Sequence, residues 1–212
     1  MSSKRATRAA LVPPRLDLDA VFQPRSVCLV GASADPHKLN GLPLNRLTRH
    51  GFEGRIWLVN PKRTSINGHD CFPSVDDLPE PVDVALVMVP ADQVPETIAA
   101  CGRKGVRAAV VLSSGFEETA DGGARVARLV EAAETAGITL IGPNCEGVWS
   151  VAAKAILTFG SAAAGGIGTC WGLLSTFIVI EMKLLRGWLA FGSISSTGRL
   201  RTPVPPPPEP DS

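Results

Sequence analysis

Short uncharged apolar runs alternate with segments of helical spacing from Ser26 to Ile141. Ser26–Val30 (SVCLV) reads as a buried strand. After a turn of small residues, Leu42, Leu44 and Leu47 predict a helix that starts near Gly41 and ends near His50-Gly51. Pro43 falls in its first turn, where a missing N–H costs little. Arg55–Val59 (RIWLV) is a second strand, and residues 64–81, with Gly68, Pro73, Pro79 and Pro81, read as a loop with at most one short helical turn. Val82–Val89 (VDVALVMV) is the clearest strand, since a near-continuous apolar run suits a parallel strand covered on both faces. Asp92 is placed to cap the next helix, which carries Val94, Ile98 and Cys101 along one side and stops at Gly102–Gly105. Val106–Leu112 is a fourth strand. A helix over residues 123–136 shows Val126, Leu129, Val130 and Ala133 at helical spacing, and Ile138–Ile141 is a fifth strand.

This alternation predicts an α/β fold: a Rossmann-like, doubly wound parallel sheet with right-handed crossovers, in one domain. Ligands of such sheets sit outside the carboxyl ends of the strands. Those ends are Gly31-Ala32-Ser33, Asn60-Pro61-Lys62, Val89-Pro90-Ala91, Ser113-Ser114-Gly115 and Gly142-Pro143-Asn144. All are small, polar or proline-bearing, and together they line one crevice. At the first, small side chains let a ligand approach the backbone, and N–H groups at the helix start face an anion. The dinucleotide fingerprint G-x-G-x-x-G is not met, because only Gly31 and Gly41 are glycines between residues 26 and 41. A plain tight turn accounts for the same residues. The second strand end discriminates among nucleotides. An NAD site wants an acidic residue there. This chain has Asn60, then Lys62 and Arg63, which suits a phosphorylated ribose, as in NADP or the 3′-phosphoadenosine of coenzyme A. A solvated loop edge is the alternative.

Composition narrows the classes. The 212 residues bound one full domain, and 45% apolar content supports a sizeable core. A net charge of +1 gives no global attraction to nucleic acid or anionic lipid. The five cysteines (Cys28, Cys71, Cys101, Cys145 and Cys170) form no C-x-x-C pair and are odd in number. Residues 1–15 lack the apolar core of a secretion signal, so reduced thiols and a cytoplasmic location are expected. His37, His50 and His69 have no metal-ligand spacing, and no metal site is expected.

The strand-end motifs carry a resemblance. VGAS with Lys38 a few positions on, then VNPK, MVPA, SSGF and GPNCEGV follow in this order at the ends of five successive predicted strands. The set resembles the N-terminal CoA-binding domain of NDP-forming acyl-CoA synthetases, the succinyl-CoA synthetase α-subunit type, which includes ADP-forming acetate–CoA ligases and related protein acetyltransferases. It covers residues 18–160. The resemblance implies that coenzyme A lies across the strand ends. Gly31, Ala32 and Ser33 would cradle phosphate, with Lys38 an additional phosphate contact. Lys62, with Asn60 and Pro61 beside it, would meet the phosphoadenosine end. Val89-Pro90 and Ser113-Ser114-Gly115 would flank the nucleotide or the pantetheine arm, and Pro143-Asn144 would lie near the thiol. The family is one of acid–thiol ligases, but no catalytic residue is legible in this chain. Cys145 invites a nucleophile reading. No histidine lies near it in sequence, and the family commonly has Cys here without using it so, which favours a small buried residue. The pairs Asp76-Asp77 and Glu117-Glu118 read as carboxylates at helix starts.

Family members continue past Thr158-Phe159 into a second, flavodoxin-like domain that carries a phosphorylated histidine, and a separate ATP-grasp module supplies nucleotide. No Ser-Gly turn of that kind and no histidine follows His69 here. The expected layout is a disordered lead over 1–17, the CoA-binding domain over 18–160 and a divergent tail over 161–212. A frameshift or truncation is the first account of the tail. A membrane helix within 155–180 is the second, because no charge occurs between Lys154 and Glu181, although Gly165, Gly166, Gly168 and Gly172 interrupt the span. An amphipathic terminal helix is the third. Pro205–Pro208 forms an extended end in any case. The chain is therefore expected to bind coenzyme A without completing thioester synthesis alone. The alternative is a subunit of a multi-chain ADP-forming ligase, with the ATP-grasp and phosphohistidine parts brought by a partner. An NADP-dependent oxidoreductase comes third, because no substrate domain with a catalytic His or Lys is recognisable.

Overall fold

The computed structural model describes residues 16–116 and 121–159. The lead up to residue 15, the pair Glu117-Glu118, and the tail from residue 160 with its three accounts lie outside the described residues. In chain order the elements are α1 (Leu18–Phe22), β1 (Ser26–Val30), α2 (Leu42–Arg49), β2 (Arg55–Val59), β3 (Ser65–Ile66), β4 (His69–Phe72), β5 (Val84–Val87), α3 (Val94–Arg103), β6 (Ala108–Val111), α4 (Gly122–Ala136), β7 (Thr139–Ile141), β8 (Gly147–Ser150) and β9 (Ala155–Thr158). The main sheet has the order β3-β4-β2-β1-β5-β6-β7, and β8-β9 is a separate antiparallel hairpin. β1, β2, β4, β5, β6 and β7 run parallel, and only the edge strand β3 is antiparallel. From β1 the chain first builds β2 and β4 on one side, then crosses to β5 on the other. That reversal makes the carboxyl end of β1 the switch point of the sheet.

The apolar runs explain the layers. Along each central strand alternate residues face opposite ways. Cys28, Val30, Ala85, Val87, Ala109 and Val111 share one buried layer with Val94, Ile98 and Cys101 of α3 and Val126, Leu129 and Ala133 of α4. Val27, Leu29, Val84, Leu86, Ala108 and Val110 share the other with Ala20 and Val21 of α1, Leu44 and Leu47 of α2, and Val148 and Leu157 of the hairpin. The hairpin thus takes a place that a helix fills elsewhere in such sheets. Arg46 of α2 holds it there, donating to Thr158 O at 2.8 Å and Phe159 O at 3.1 Å.

Several local expectations are corrected. The stretch 64–81 contains β3 and β4, joined by Asn67 and Gly68, both at positive φ (51° and 82°). β4 extends the sheet by pairing in parallel with β2, Leu58 with Cys71 and Val59 with Phe72. Asp92 does not cap α3. The N-cap is Gln93, with no side-chain cap bond, and Pro95 in the first turn sets the helical φ instead. Asp76 and Asp77 do not start a helix. Asp77 Oδ2 accepts from Ser74 N and Oγ, closing a turn, and Asp76 takes two bonds from Arg103 of α3. Arg103 beside it holds the Asp76 carboxyl below its usual range. Asp17, placed in the expected lead, belongs to the domain: its side chain accepts from Ala20 N at the start of α1. The part of 155–180 that is described begins as β9, and among the described residues no helix is long and apolar enough to cross a membrane.

Candidate functional site

The carboxyl end of β1 turns sharply at Gly31, which has φ +85°. A Cβ there would lie 2.9 Å from Met88 O, so the position excludes any side chain as well as favouring glycine conformationally. Its N–H donates to Val59 O at 2.8 Å. The two carbonyls that follow are each taken by a carboxamide: Asn40 Nδ2 donates to Gly31 O at 2.7 Å, and Asn60 Nδ2 donates to Ala32 O at 2.9 Å. Ser33 N donates to Asn40 O, and the loop beyond is folded on Asp35, which receives His37 N on Oδ1 and Lys38 N on its carbonyl.

This changes how the turn meets an anion. A three-residue 3₁₀ turn, Leu39–Gly41, precedes α2, and Gly41 N and Leu42 N both donate to Lys38 O. The donors expected to face the crevice at the helix start are therefore partly satisfied within the protein, because the tighter turn closes them earlier. Ala32 is fully buried and packs into the layer of α1, α2 and the hairpin. What this end offers to the cleft is mainly side chains.

At the end of β2, Asn60 N donates to Phe72 O and Arg63 N donates to Asn60 O, closing a turn that presents Lys62 and Arg63 to solvent. Lys62 N donates to Asn60 Oδ1 at 2.9 Å. Between this turn and the β1 loop lies a cleft of about 570 Å³, lined by Ser33, Ala34, Asp35, Lys38, Asn60, Lys62 and Arg63. Three of those side chains are cations and one is a carboxylate. The field in the cleft favours a ligand carrying several negative charges. Of the residues singled out in the sequence, Ser33, Lys38, Asn60 and Lys62 line this one cleft. Pro61 is exposed beside them. Arg63 and Asp35 join them, the first signalled by its place next to Lys62 and the second by nothing in the pattern.

The other three strand ends continue the row without lining this cleft. Ser113 Oγ donates to Val89 O at 2.5 Å, joining the β5 and β6 ends, and Pro90 is exposed. Asn144 N donates to Ser113 O at 3.1 Å, joining the β6 and β7 ends. Arg125 of α4 donates to Gly115 O at 2.8 Å and fixes the loop that carries the exposed Ser114. Gly142 has φ +94°, and a Cβ on it would lie 2.4 Å from Val111 O. Pro143 is buried behind the loop, whereas Asn144, at φ +54°, is exposed.

The four described cysteines are all buried. Cys145 is 4% exposed and its Sγ donates to Val111 O at 3.4 Å, as expected of a small buried residue. Burial pushes the Cys28 thiol well up and the Cys101 thiol up to about 12, so both stay protonated and inert. Burial also raises the Cys71 thiol, against a weaker pull from the Asn60 backbone. Among the described residues no group of His, Cys, Asp and Glu could hold a metal ion.

A family model described as a CoA binding domain matches residues 25–150. The chain is 41% identical over 147 residues to the ADP-forming acetate–CoA ligase I of Archaeoglobus fulgidus, a match covering 69% of this chain and 21% of that protein. It is 41% identical over 150 residues to the alpha subunit of the ADP-forming acetate–CoA ligase I of Pyrococcus furiosus, covering 68% and 32%. Among solved structures it is similar to the dinucleotide forming acetyl-coenzyme A synthetase 1 of Ca. Korarchaeum cryptofilum in complex with phosphate and ADP. There the identity is 39% and the TM-score 0.65, over 68% of this chain and 31% of that one. The chain therefore spans between a fifth and a third of the length of these relatives.

Proposed function

The chain belongs to the CoA-binding domain family, and from that premise we propose that its strand-end row binds coenzyme A, with the phosphorylated end in the cleft between β1 and β2. The observation that carries this reading is the convergence of Lys38, Lys62 and Arg63 on one cleft beside the hydroxyl of Ser33. Charge-assisted contacts to phosphate are the strong ones, and this donor set suits a ligand with several phosphates. Lys62 and Arg63 stand where an NAD site would carry an acid. Val89-Pro90, Ser113-Ser114-Gly115 and Pro143-Asn144 form the neutral continuation, which suits the uncharged pantetheine arm and, at its far end, the thiol. When bound, coenzyme A supplies a thiol as acyl acceptor. The residues of this chain bind and orient it.

On this reading the described domain contributes the coenzyme A part of the family's chemistry, since His37, His50 and His69 all precede the region where the family's phosphorylated histidine belongs. A second reading is that a partner brings the ATP-grasp and phosphohistidine parts. One relative, from P. furiosus, is named as an alpha subunit, which supports that arrangement.

Titration calorimetry on the full chain tests the binding reading. Coenzyme A should bind more tightly than dephospho-CoA, and both more tightly than NAD. Equal affinity for coenzyme A and dephospho-CoA, or a preference for NAD, would overturn it.

A further inference from the structure

We propose that Asn40 and Asn60 are positioning residues that set the anion-binding turn between them, and that Asn60 acts on the ligand through Lys62. The inference rests on the reading of the cleft as a coenzyme A site. The two carboxamides grip successive carbonyls of one turn, Asn40 on Gly31 O at 2.7 Å and Asn60 on Ala32 O at 2.9 Å. A peptide unit is planar, with its C=O and N–H pointing opposite ways. Fixing two consecutive carbonyls therefore fixes the rotation of both units and the direction in which Ser33 leaves the turn.

Asn60 does more than hold Ala32. Its Oδ1 accepts from Lys62 N at 2.9 Å, its own N–H donates to Phe72 O, and its carbonyl accepts from Arg63 N. One half-buried side chain thus spans the two walls of the cleft, with the Ala32-Ser33 wall on its Nδ2 and the Lys62-Arg63 wall on its Oδ1. The backbone of β2 and β4 anchors it. The separation between the serine hydroxyl on one wall and the cations on the other follows from that strut. Asn60 lines the cleft as well, so the competing role is a direct contact with the ligand. The two roles differ in their dependence on Lys62. A direct contact is lost whether or not Lys62 is present. A strut that acts through Lys62 loses most of its effect on the ligand once the lysine side chain is gone.

The experiment is a double-mutant cycle read by coenzyme A calorimetry on the full chain, using Asn60→Ala, Lys62→Ala and the double variant, with a melting curve for each. Each single change should weaken coenzyme A about tenfold, the scale of one charged or well-placed hydrogen bond. The double variant should lose little more than Lys62→Ala alone, because residues acting as one unit are not additive. Should Asn60→Ala fail to fold, the cycle is run with Asn60→Ser, which is too short to span the walls. Additive losses in a chain that binds coenzyme A would overturn the strut and leave the binding reading standing. Unchanged affinity in a folded Asn60 variant would do the same. No coenzyme A binding by the unaltered chain would remove both.

Discussion

Arg107 donates through Nη1 to Asp83 Oδ1 at 2.8 Å, at the amino end of the strands opposite the cleft. The same guanidinium takes both carboxylate oxygens of Asp17, at 2.8 and 3.0 Å. Asp83 also receives Arg25 N on Oδ2, its own N–H donates to Ser26 Oγ, and Asp17 N donates to Thr139 Oγ1. The amino ends of β1, β5, β6 and β7 and the start of α1 are thereby tied into one polar network.

That network predicts a pH dependence. Burial pushes the Asp83 carboxyl up, but the Arg25 N–H and the Arg107 guanidinium together outweigh it and hold the group below its usual range. A depressed folded pKa means that the native state binds the proton less readily than the unfolded chain. The stabilisation is then fully present above the unfolded value of about 3.9 and is lost as the pH falls through the lower folded one. Asp83→Asn should cost about 1–3 kcal/mol near neutral pH, the usual loss for a buried charged hydrogen bond. The gap to the unaltered protein should narrow in acid. Urea unfolding across a pH series checks this, and a gap that stays constant into acid would refute it.

Lys62 is exposed and its side chain faces the cleft, so its charge matters to the ligand more than to the fold. Lys62→Glu should weaken coenzyme A by roughly tenfold to a hundredfold and leave the melting temperature nearly unchanged. Dephospho-CoA should be affected less. Calorimetry paired with a thermal melt reads both quantities, and equal penalties for the two ligands would place the 3′-phosphate elsewhere.

Ser33 sits where the β1 loop opens onto the cleft, half-buried, with its Oγ accepting from Asp35 N at 3.1 Å. Ser33→Trp fills the space between the two walls. Coenzyme A binding should vanish while the circular dichroism of the fold is retained. Retained affinity in a folded variant would mean that the phosphates bind in another loop.

β1, β2, β5, β6 and β7 were legible because each carries a short, mostly apolar run, almost unbroken where a parallel strand is buried on both faces, as in VALV of β5. β4 was not, because HDCF lies next to the edge of the sheet, where polar residues are tolerated and no such run is required. The hairpin was also missed. Its turn carries Lys154 at φ +55° where a glycine or asparagine would have signalled it. In the site, charge made Lys62 and Lys38 visible. Asn40 and Arg125 were invisible, since each acts on a carbonyl nine or ten residues away along a loop path that no local pattern encodes.

The isolated chain, given ATP, acetate and coenzyme A, should form no acyl-CoA, because the activated acyl phosphate needs a nucleotide site and a phosphorylatable histidine first. A coupled assay for ADP release checks this, and steady turnover would refute it. Removing residues 165–212 should leave coenzyme A affinity close to intact, since every proposed contact precedes them.

The linear arrangement of the strand ends, with the cations at one pole and the neutral Val89-Pro90, Ser113-Ser114-Gly115 and Pro143-Asn144 over the rest, makes the row a ruler with a marked zero. Adjacent strands are spaced by about 4.8 Å, so the four steps from β2 to β7 span about 19 Å. A ligand gripped at the zero presents a group at the far mark only if it is long enough. A fragment such as adenosine 3′,5′-bisphosphate would fill the zero and leave the far mark empty. It would act as a stopper, excluding the full-length ligand without imitating what that ligand delivers.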